Sequence, residues 1–315
     1  MARLRQSGGD SGDTGNDAVN VGDAYQDYAG LLDAVRGLRW PARSAVRGGI
    51  PGAHTSRLRG ISAEFTEYRP YRQGDDPRRI DWKLFARSDR AYIRLSNDRA
   101  ILPTMIVLDA TASMAFPART HAKWKLAAQL GVGLGAVARN SGDPVGMVIA
   151  RATDPIILPP RTRRSVVHEI IRAVSETRPG GATPLTPSLS TAAQTGGRLV
   201  IVSDFLGDAE ELLAVAGHWV VAGREVHAVH VVAREELDPP RENAMVCDPE
   251  LDEIRRPMVG DTREQYLASF ATWREKVAHD WSDAGISYAL AVPGEETADH
   301  LIRRIVAMHS GAMSA

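Results

Sequence analysis

Only one cysteine, Cys247, stands among the 315 residues, so neither an internal disulfide framework nor a four-cysteine zinc site can be built. That scarcity fits a reducing compartment. No sign of charge dominates: 38 Lys and Arg face 39 Asp and Glu, a net charge of −1. A chain so balanced has no global field to draw in nucleic acid or anionic lipid. Long apolar runs are missing as well. None reaches the roughly 18 residues of a membrane span, and the opening MARLRQSGGDSGDTGND lacks the apolar stretch of a secretory signal. The expectation is a soluble, cytoplasmic protein with no membrane span. What is present is ordinary globular composition, 43% apolar and 24% charged, in a chain long enough to bury a sizeable core without staples.

The chain changes character along its length. Residues 1–20 are mostly Gly, Ser, Asp and Asn with little to bury, which predicts a disordered tail. Tyr25, Tyr28, Leu31, Leu32, Val35 and Leu38 recur at helical spacing up to Trp40, and Pro41 stops the pattern. A Gly- and Arg-rich stretch follows. Residues 61–98 are then dense in Arg, Asp and aromatics, with a turn signal at Gly74-Asp75-Asp76-Pro77. Residues 21–100 are therefore read as one N-terminal part, distinct from 101–309.

In the second part strands and helices alternate. Thr104–Asp109 (TMIVLD) and Arg198–Asp204 (RLVIVSD) are continuous apolar runs ending in Asp, as in strands buried on both faces. Further strands are predicted at Val145–Ala150, Glu225–Val232 and Ile286–Val292, with a short returning edge strand at Pro155–Leu158. Helices are predicted where Trp124, Ala127, Ala128, Gly131, Leu134 and Ala138 recur at three- and four-residue spacing, over Thr162–Glu176, Asp208–Ala222 and Arg263–Asp283, and from Thr297 to His309. The alternation predicts an α/β fold with a doubly wound, mostly parallel sheet. An insertion at about 234–261 interrupts it, with extended pieces at Ala244–Cys247 and Ile254–Val259 expected to pair as a hairpin.

Ligands of an open parallel sheet bind beyond the carboxyl ends of its strands, where Asp109 and Asp204 sit. After Asp109 the chain reads Asp109-Ala110-Thr111-Ala112-Ser113, placing a carboxylate and two hydroxyls at alternate positions of one loop. A third loop, Gly180-Gly181-Ala182-Thr183, offers another hydroxyl. Such all-oxygen, hard donors suit Mg²⁺ or Mn²⁺. The plainer role for an Asp or Ser after a strand is to cap the next helix, but a cap needs one oxygen and does not explain the alternation. His227 and His230, three apart on a strand, point to opposite faces and make a poor metal pair.

Asp109-x-Thr111-x-Ser113 with Thr183 and Asp204 resembles the metal-ion-dependent adhesion site of von Willebrand factor A-type domains, whose pattern is Asp-x-Ser-x-Ser, then a Thr, then an Asp. Thr111 for the first Ser keeps the hydroxyl. Ala182 between the glycines and Thr183 is a departure that makes Thr186 an alternative ligand. Upstream, Gly60-x-x-x-Glu64-Phe65-x-Glu67-Tyr68-Arg69-x-Tyr71-x-x-Gly74-Asp75-Asp76-x-Arg78-x-Ile80-Asp81-Trp82, followed by Ala86-Arg87, resembles the signature of Domain of Unknown Function family 58. That family joins such a segment to an A-type domain.

The resemblance implies a von Willebrand factor A-like fold and a metal-dependent binding module. A partner protein supplies an acidic ligand to the metal, and a MoxR-type AAA+ ATPase is the expected associate. Glu64, Glu67, Arg69, Tyr71, Asp75, Asp76, Arg78, Asp81 and Trp82 are the candidate partner-binding residues. The same segment could be read as a nucleic-acid surface, with Arg on phosphate and aromatics on bases, but its carboxylates would repel phosphate and suit Arg–carboxylate pairing instead. Mg²⁺-dependent phosphatase or nuclease chemistry is the other alternative. A strand-end Asp nucleophile of that kind needs a second acid two residues on, where Thr111 stands. No Gly-x-Ser-x-Gly elbow and no Gly-x-x-x-x-Gly-Lys loop is present. The expectation is a binding protein and not an enzyme.

Overall fold

The computed structural model describes residues 21–42, 65–72, 77, 80–96, 101–207, 209–239, 245–247, 255–257 and 260–308. The predicted tail at 1–20 lies outside them. The first helix, α1 (Val21–Ala34), ends before Gly37 and not at Trp40 as the periodicity predicts. The chain then runs on through buried Val35 and Trp40. In the family-signature segment, β1 (Phe65–Pro70), α2 (Trp82–Ser88) and β2 (Tyr92–Ser96) follow, the two strands pairing antiparallel. Next come β3 (Thr104–Asp109), a short 3₁₀ turn (Ala112–Ala115), α3 (Ala122–Asn140), β4 (Val145–Ala150) and β5 (Ile156–Arg161). After α4 (Val166–Ser175) and α5 (Thr186–Ala193) the chain forms β6 (Arg198–Ser203), α6 (Ala209–Val221), β7 (Glu225–Val231) and the single turn α7 (Arg234–Leu237). Short β8 (Met245–Cys247) and β9 (Arg255–Pro257) pair antiparallel, as expected for the insertion, before α8 (Gly260–Asp283), β10 (Ser287–Ala291) and α9 (Ala298–Ala307).

Six strands form one sheet in the order β10-β7-β6-β3-β4-β5. All neighbours are parallel except β4 and β5, so β5 is the returning edge strand. The period-2 alternation of strands divides the core. Ile106, Leu108, Val200, Val202, Val229 and Val231 face α1, α3, α4 and α9, whereas Val107, Val148, Leu199, Ile201 and Ala228 face α5, α6 and α8. Helices on both faces make this a doubly wound α/β fold. Helix α3 is buried nearly all round because α1, α4 and α9 cover its outer side.

The chain winds from β3 through α3 to β4 and β5, then crosses back to lay β6 on the other side of β3. The gap between the carboxyl ends of β3 and β6 is the switch point of the winding, the place where such sheets open a crevice.

At the opposite, amino end of the sheet, a fully buried Arg198 ties the N-terminal segment down. Its guanidinium donates to the carbonyls of Trp40 (3.3 Å) and Pro41 (3.1 Å), to Thr104 Oγ1 (3.4 Å) and to Asp143 Oδ2 (3.3 Å). It also pairs with Glu225 at 3.0 Å and lies over the Trp40 ring, 4.4 Å from its centroid. Asp143 Oδ1 accepts Leu102 N (3.1 Å), so one cluster grips the chain both at 40–41 and at 102–104.

Candidate functional site

Asp109 ends β3 with its side chain buried in the switch-point crevice. Its Oδ1 accepts the backbone N–H of Thr111 (2.9 Å) and the Thr111 hydroxyl (2.7 Å). Thr111 Oγ1 lies 3.1 Å from Ser113 Oγ. The carboxylate and two hydroxyls are thus one buried chain of oxygens, held in shape by the 3₁₀ turn that begins at Ala112. The plainer capping role is not seen: the 3₁₀ turn has Thr111 as its N-cap with no side-chain cap bond, and the bond from Thr111 N to Asp109 is a local turn contact. On the other side, Ser203 Oγ donates to Asp109 Oδ2 at 2.6 Å and also accepts Phe205 N at 3.0 Å.

Thr183 stands outside that hydrogen-bonded set, in the loop between α4 and α5. The loop is stitched to the site by its backbone: Gly180 N donates to Ala110 O (2.9 Å) and Ala112 N donates to Gly181 O (2.8 Å). Gly181 needs to be glycine, with φ at 69° and a Cβ that would fall 2.3 Å from the Ala152 Cβ. Thr183, two residues beyond, and Thr186, the first residue of α5, are both half-buried.

Asp204 follows β6 and is buried, with Oδ1 accepting Leu206 N at 3.2 Å. Its other oxygen belongs to a partner the sequence did not suggest. Lys123 Nζ bonds Asp204 Oδ2 at 2.6 Å and Glu236 Oε1 at 2.9 Å, with the lysine wholly buried. Burial works against the ammonium, but the two carboxylates more than offset it and hold its pKa above the usual lysine value. Phe205, next in the chain, has φ at 55°, a left-handed conformation unusual for a bulky residue. Its ring is buried against Trp281 and His230, at centroid distances of 4.7 and 5.3 Å. Burial pushes His230 down to about 4; its Nδ1 lies 2.6 Å from Tyr288 Oη, while His227 faces Trp40 on the other side of the sheet.

Burial, with the nearby Asp204 charge adding to it, pushes the Asp109 carboxyl up to about 6, against the pull of its bonds from Ser203 and Thr111. This has a measurable consequence for the metal-free protein. The folded-state value lies above the roughly 3.9 of an unfolded Asp, so the bound proton stabilises the fold. That contribution is full below about pH 4 and is lost as pH rises through about 6, to the extent of roughly 3 kcal/mol at most. In EDTA, urea unfolding between pH 4 and pH 7 should show this loss in the wild type and not in Asp109→Asn. Equal slopes in the two proteins would contradict it.

The chemistry of the donor set fits a hard divalent cation: Asp109, Thr111 and Ser113 offer oxygen alone. Among the described residues no three His, Cys, Asp or Glu side chains gather as a metal-holding group, so an ion here depends on the hydroxyls.

The signature segment is described in part. Glu64, Asp75, Asp76 and Arg78 lie outside the described residues. Glu67 and Arg69 are on β1, opposite Leu95 and Ile93. Tyr71 is half-buried and its N–H donates to Ala91 O. Asp81 is the N-cap of α2, its Oδ1 accepting Lys83 N and Leu84 N, both at 3.0 Å. Trp82 is 61% exposed and meets the exposed Phe85 edge to face at 5.9 Å.

Fold and site together define a doubly wound α/β protein with an acid-and-hydroxyl crevice at the switch point of its sheet. Residues 67–276 match the family model described as "Protein of unknown function DUF58", and the chain belongs to that family. It is 25% identical over 293 residues to the uncharacterized proteins Rv1480 of Mycobacterium tuberculosis and Mb1516 of Mycobacterium bovis, the match spanning 90% of this chain and 92% of each relative. Among solved structures it is similar to an aerotolerance-related membrane protein from Bacteroides fragilis (17% identity, TM-score 0.42, 66% of this chain and 98% of that one). It is similar also to BatB from Bacteroides thetaiotaomicron (17%, 0.39, 66% and 98%) and to the SpRpn10 VWA domain (11%, 0.38, 65% and 95%). No helix among the described residues is long and apolar enough to cross a membrane.

Proposed function

We propose that this chain is a metal-dependent protein-binding adaptor of von Willebrand factor A type that works with a MoxR-type AAA+ ATPase, and that it is not an enzyme. Asp109, Thr111 and Ser113 would hold Mg²⁺ (or Mn²⁺), with Thr183 or Thr186 and Asp204 as the further candidates. The observation that carries this reading is the buried run of oxygens from Asp109 through Thr111 to Ser113 at the switch point. A bound Mg²⁺ supplies an electrophilic position that an acidic side chain of another protein can fill. The residues of the chain do the rest: Asp109 holds the Thr111 hydroxyl, which meets that of Ser113, and Ser203 fixes the second Asp109 oxygen. Thr111 stands where a strand-end phosphatase would need its second acid, and it is already bonded to Asp109.

The ATPase partner follows from family resemblance, and such an analogy weighs less than a site argument. The exposed Trp82 and Phe85 support a contact role for the signature segment, since large aromatics are enriched in the buried centres of protein interfaces. Co-expression with the host's MoxR-type ATPase, followed by size exclusion in Mg²⁺ or EDTA, tests the reading. Co-elution in Mg²⁺ that EDTA abolishes is the expected result. Separate elution under every nucleotide and metal condition would remove the ATPase from the model.

A further inference from the structure

Lys123 is the second residue of α3 and its side chain is wholly buried. Both facts cost free energy. Burial strips the ammonium of water, and the first turn of a helix is its positive end, where a cation is disfavoured. A methionine would fill a similar volume with neither cost. The lysine is held by carboxylates from two other strand-end segments, Asp204 after β6 and Glu236 after β7. Glu236 is itself fixed, its Oε2 accepting Ala233 N at 2.6 Å. The Lys123 backbone N–H donates to Phe116 O at 3.3 Å, which joins the loop of Thr111 and Ser113 to the same point. One residue, through its side chain and its backbone N–H, therefore ties together the segments that follow β3, β6 and β7.

We propose that Lys123 is a built-in counter-ion that reserves Asp204, so that a divalent cation at Asp109, Thr111 and Ser113 is held weakly and a place is left for an outside carboxylate. This rests on the metal-binding reading above. Lys123 meets two carboxylates, Asp204 and Glu236, and Asp204 is the one whose charge also acts on Asp109. Without Lys123, Asp204 would be free to compete with the partner's acidic side chain for the same cation. Lys123 in this view determines specificity: it trades metal affinity for an open acceptor.

The test is calorimetric titration of the full chain with Mg²⁺ alone. Lys123→Met should bind the ion about tenfold more tightly or better, since a buried positive charge beside the site has gone. Lys123→Gln makes the same charge change with a polar end and carries the test if Lys123→Met fails to fold, as judged by circular dichroism. Lys125→Met makes the same charge change on the exposed side of α3 and should stay within about twofold of wild type, because solvent screens it. If wild type binds Mg²⁺ and the folded Lys123 variants bind it equally or more weakly, the counter-ion role is overturned and the metal reading stands. If wild type binds none and the Lys123 variants do, the counter-ion role stands and the proposed adaptor mechanism falls. No binding in any folded variant overturns both.

Discussion

Asp109→Ala should lower Mg²⁺ affinity by at least about 100-fold, to the point where calorimetry detects no binding, while the protein stays folded. Asp109 brings the formal charge to a set otherwise made of hydroxyls, and it also holds the Thr111 hydroxyl in place. With its carboxylate gone, Thr111 loses the acceptor of both its backbone N–H and its hydroxyl, and Ser203 loses its 2.6 Å acceptor. Folding should tolerate the change because the wild-type carboxyl is buried beside Asp204, a strain that the truncation relieves. Urea unfolding in EDTA at pH 7 should therefore show stability close to wild type, the relieved burial of the carboxylate offsetting the three buried donors left without their acceptor. Thr183→Ala and Thr186→Ala belong in the same experiment. Whichever weakens binding identifies the loop ligand, and equal affinity in wild type and Asp109→Ala would take the metal away from this crevice.

The second large effect lies at the other end of the sheet and should leave metal binding alone. Arg198→Met is expected to cost about 3–5 kcal/mol of stability, the usual result of removing one partner from a buried ionic cluster. Asp143 and Glu225 would lose the guanidinium they share, and the carbonyls of Trp40 and Pro41 would lose their donor. The stacking of the guanidinium on Trp40 would go as well. The readouts are the urea midpoint and the quenching of Trp40 fluorescence, with Mg²⁺ titration as the control. A loss under about 1 kcal/mol would mean that the cluster is solvated in solution.

How much of this was legible in the sequence depended on distance along the chain. β3 and β6 were readable because strands covered on both faces leave unbroken apolar runs. The Asp109, Thr111 and Ser113 set was readable because its members share one loop. Helix α5 was not expected: TPSLSTAA is short and full of residues whose hydroxyls compete for the backbone. Helix α4 begins at Val166, later than the periodicity predicts, after an Arg-rich turn. Lys123 escaped notice because a lysine in an amphipathic helix normally marks the wet face. Its two carboxylates lie 81 and 113 positions away, beyond the reach of any local pattern. Asp81 reads as part of a charged surface, yet its observed bonds are those of a helix cap, a role that charge density alone does not announce.

The Arg198 cluster also bears on how this architecture can vary. By holding residues 40–41 and 102–104 at one place, it fixes the two ends of the intervening stretch side by side at the amino end of the sheet. The penalty for lengthening such a closed stretch grows only logarithmically, by about 0.6 kcal/mol per doubling. A change in the length of that stretch therefore carries only a small closure cost so long as the Arg198 contacts at its two ends remain.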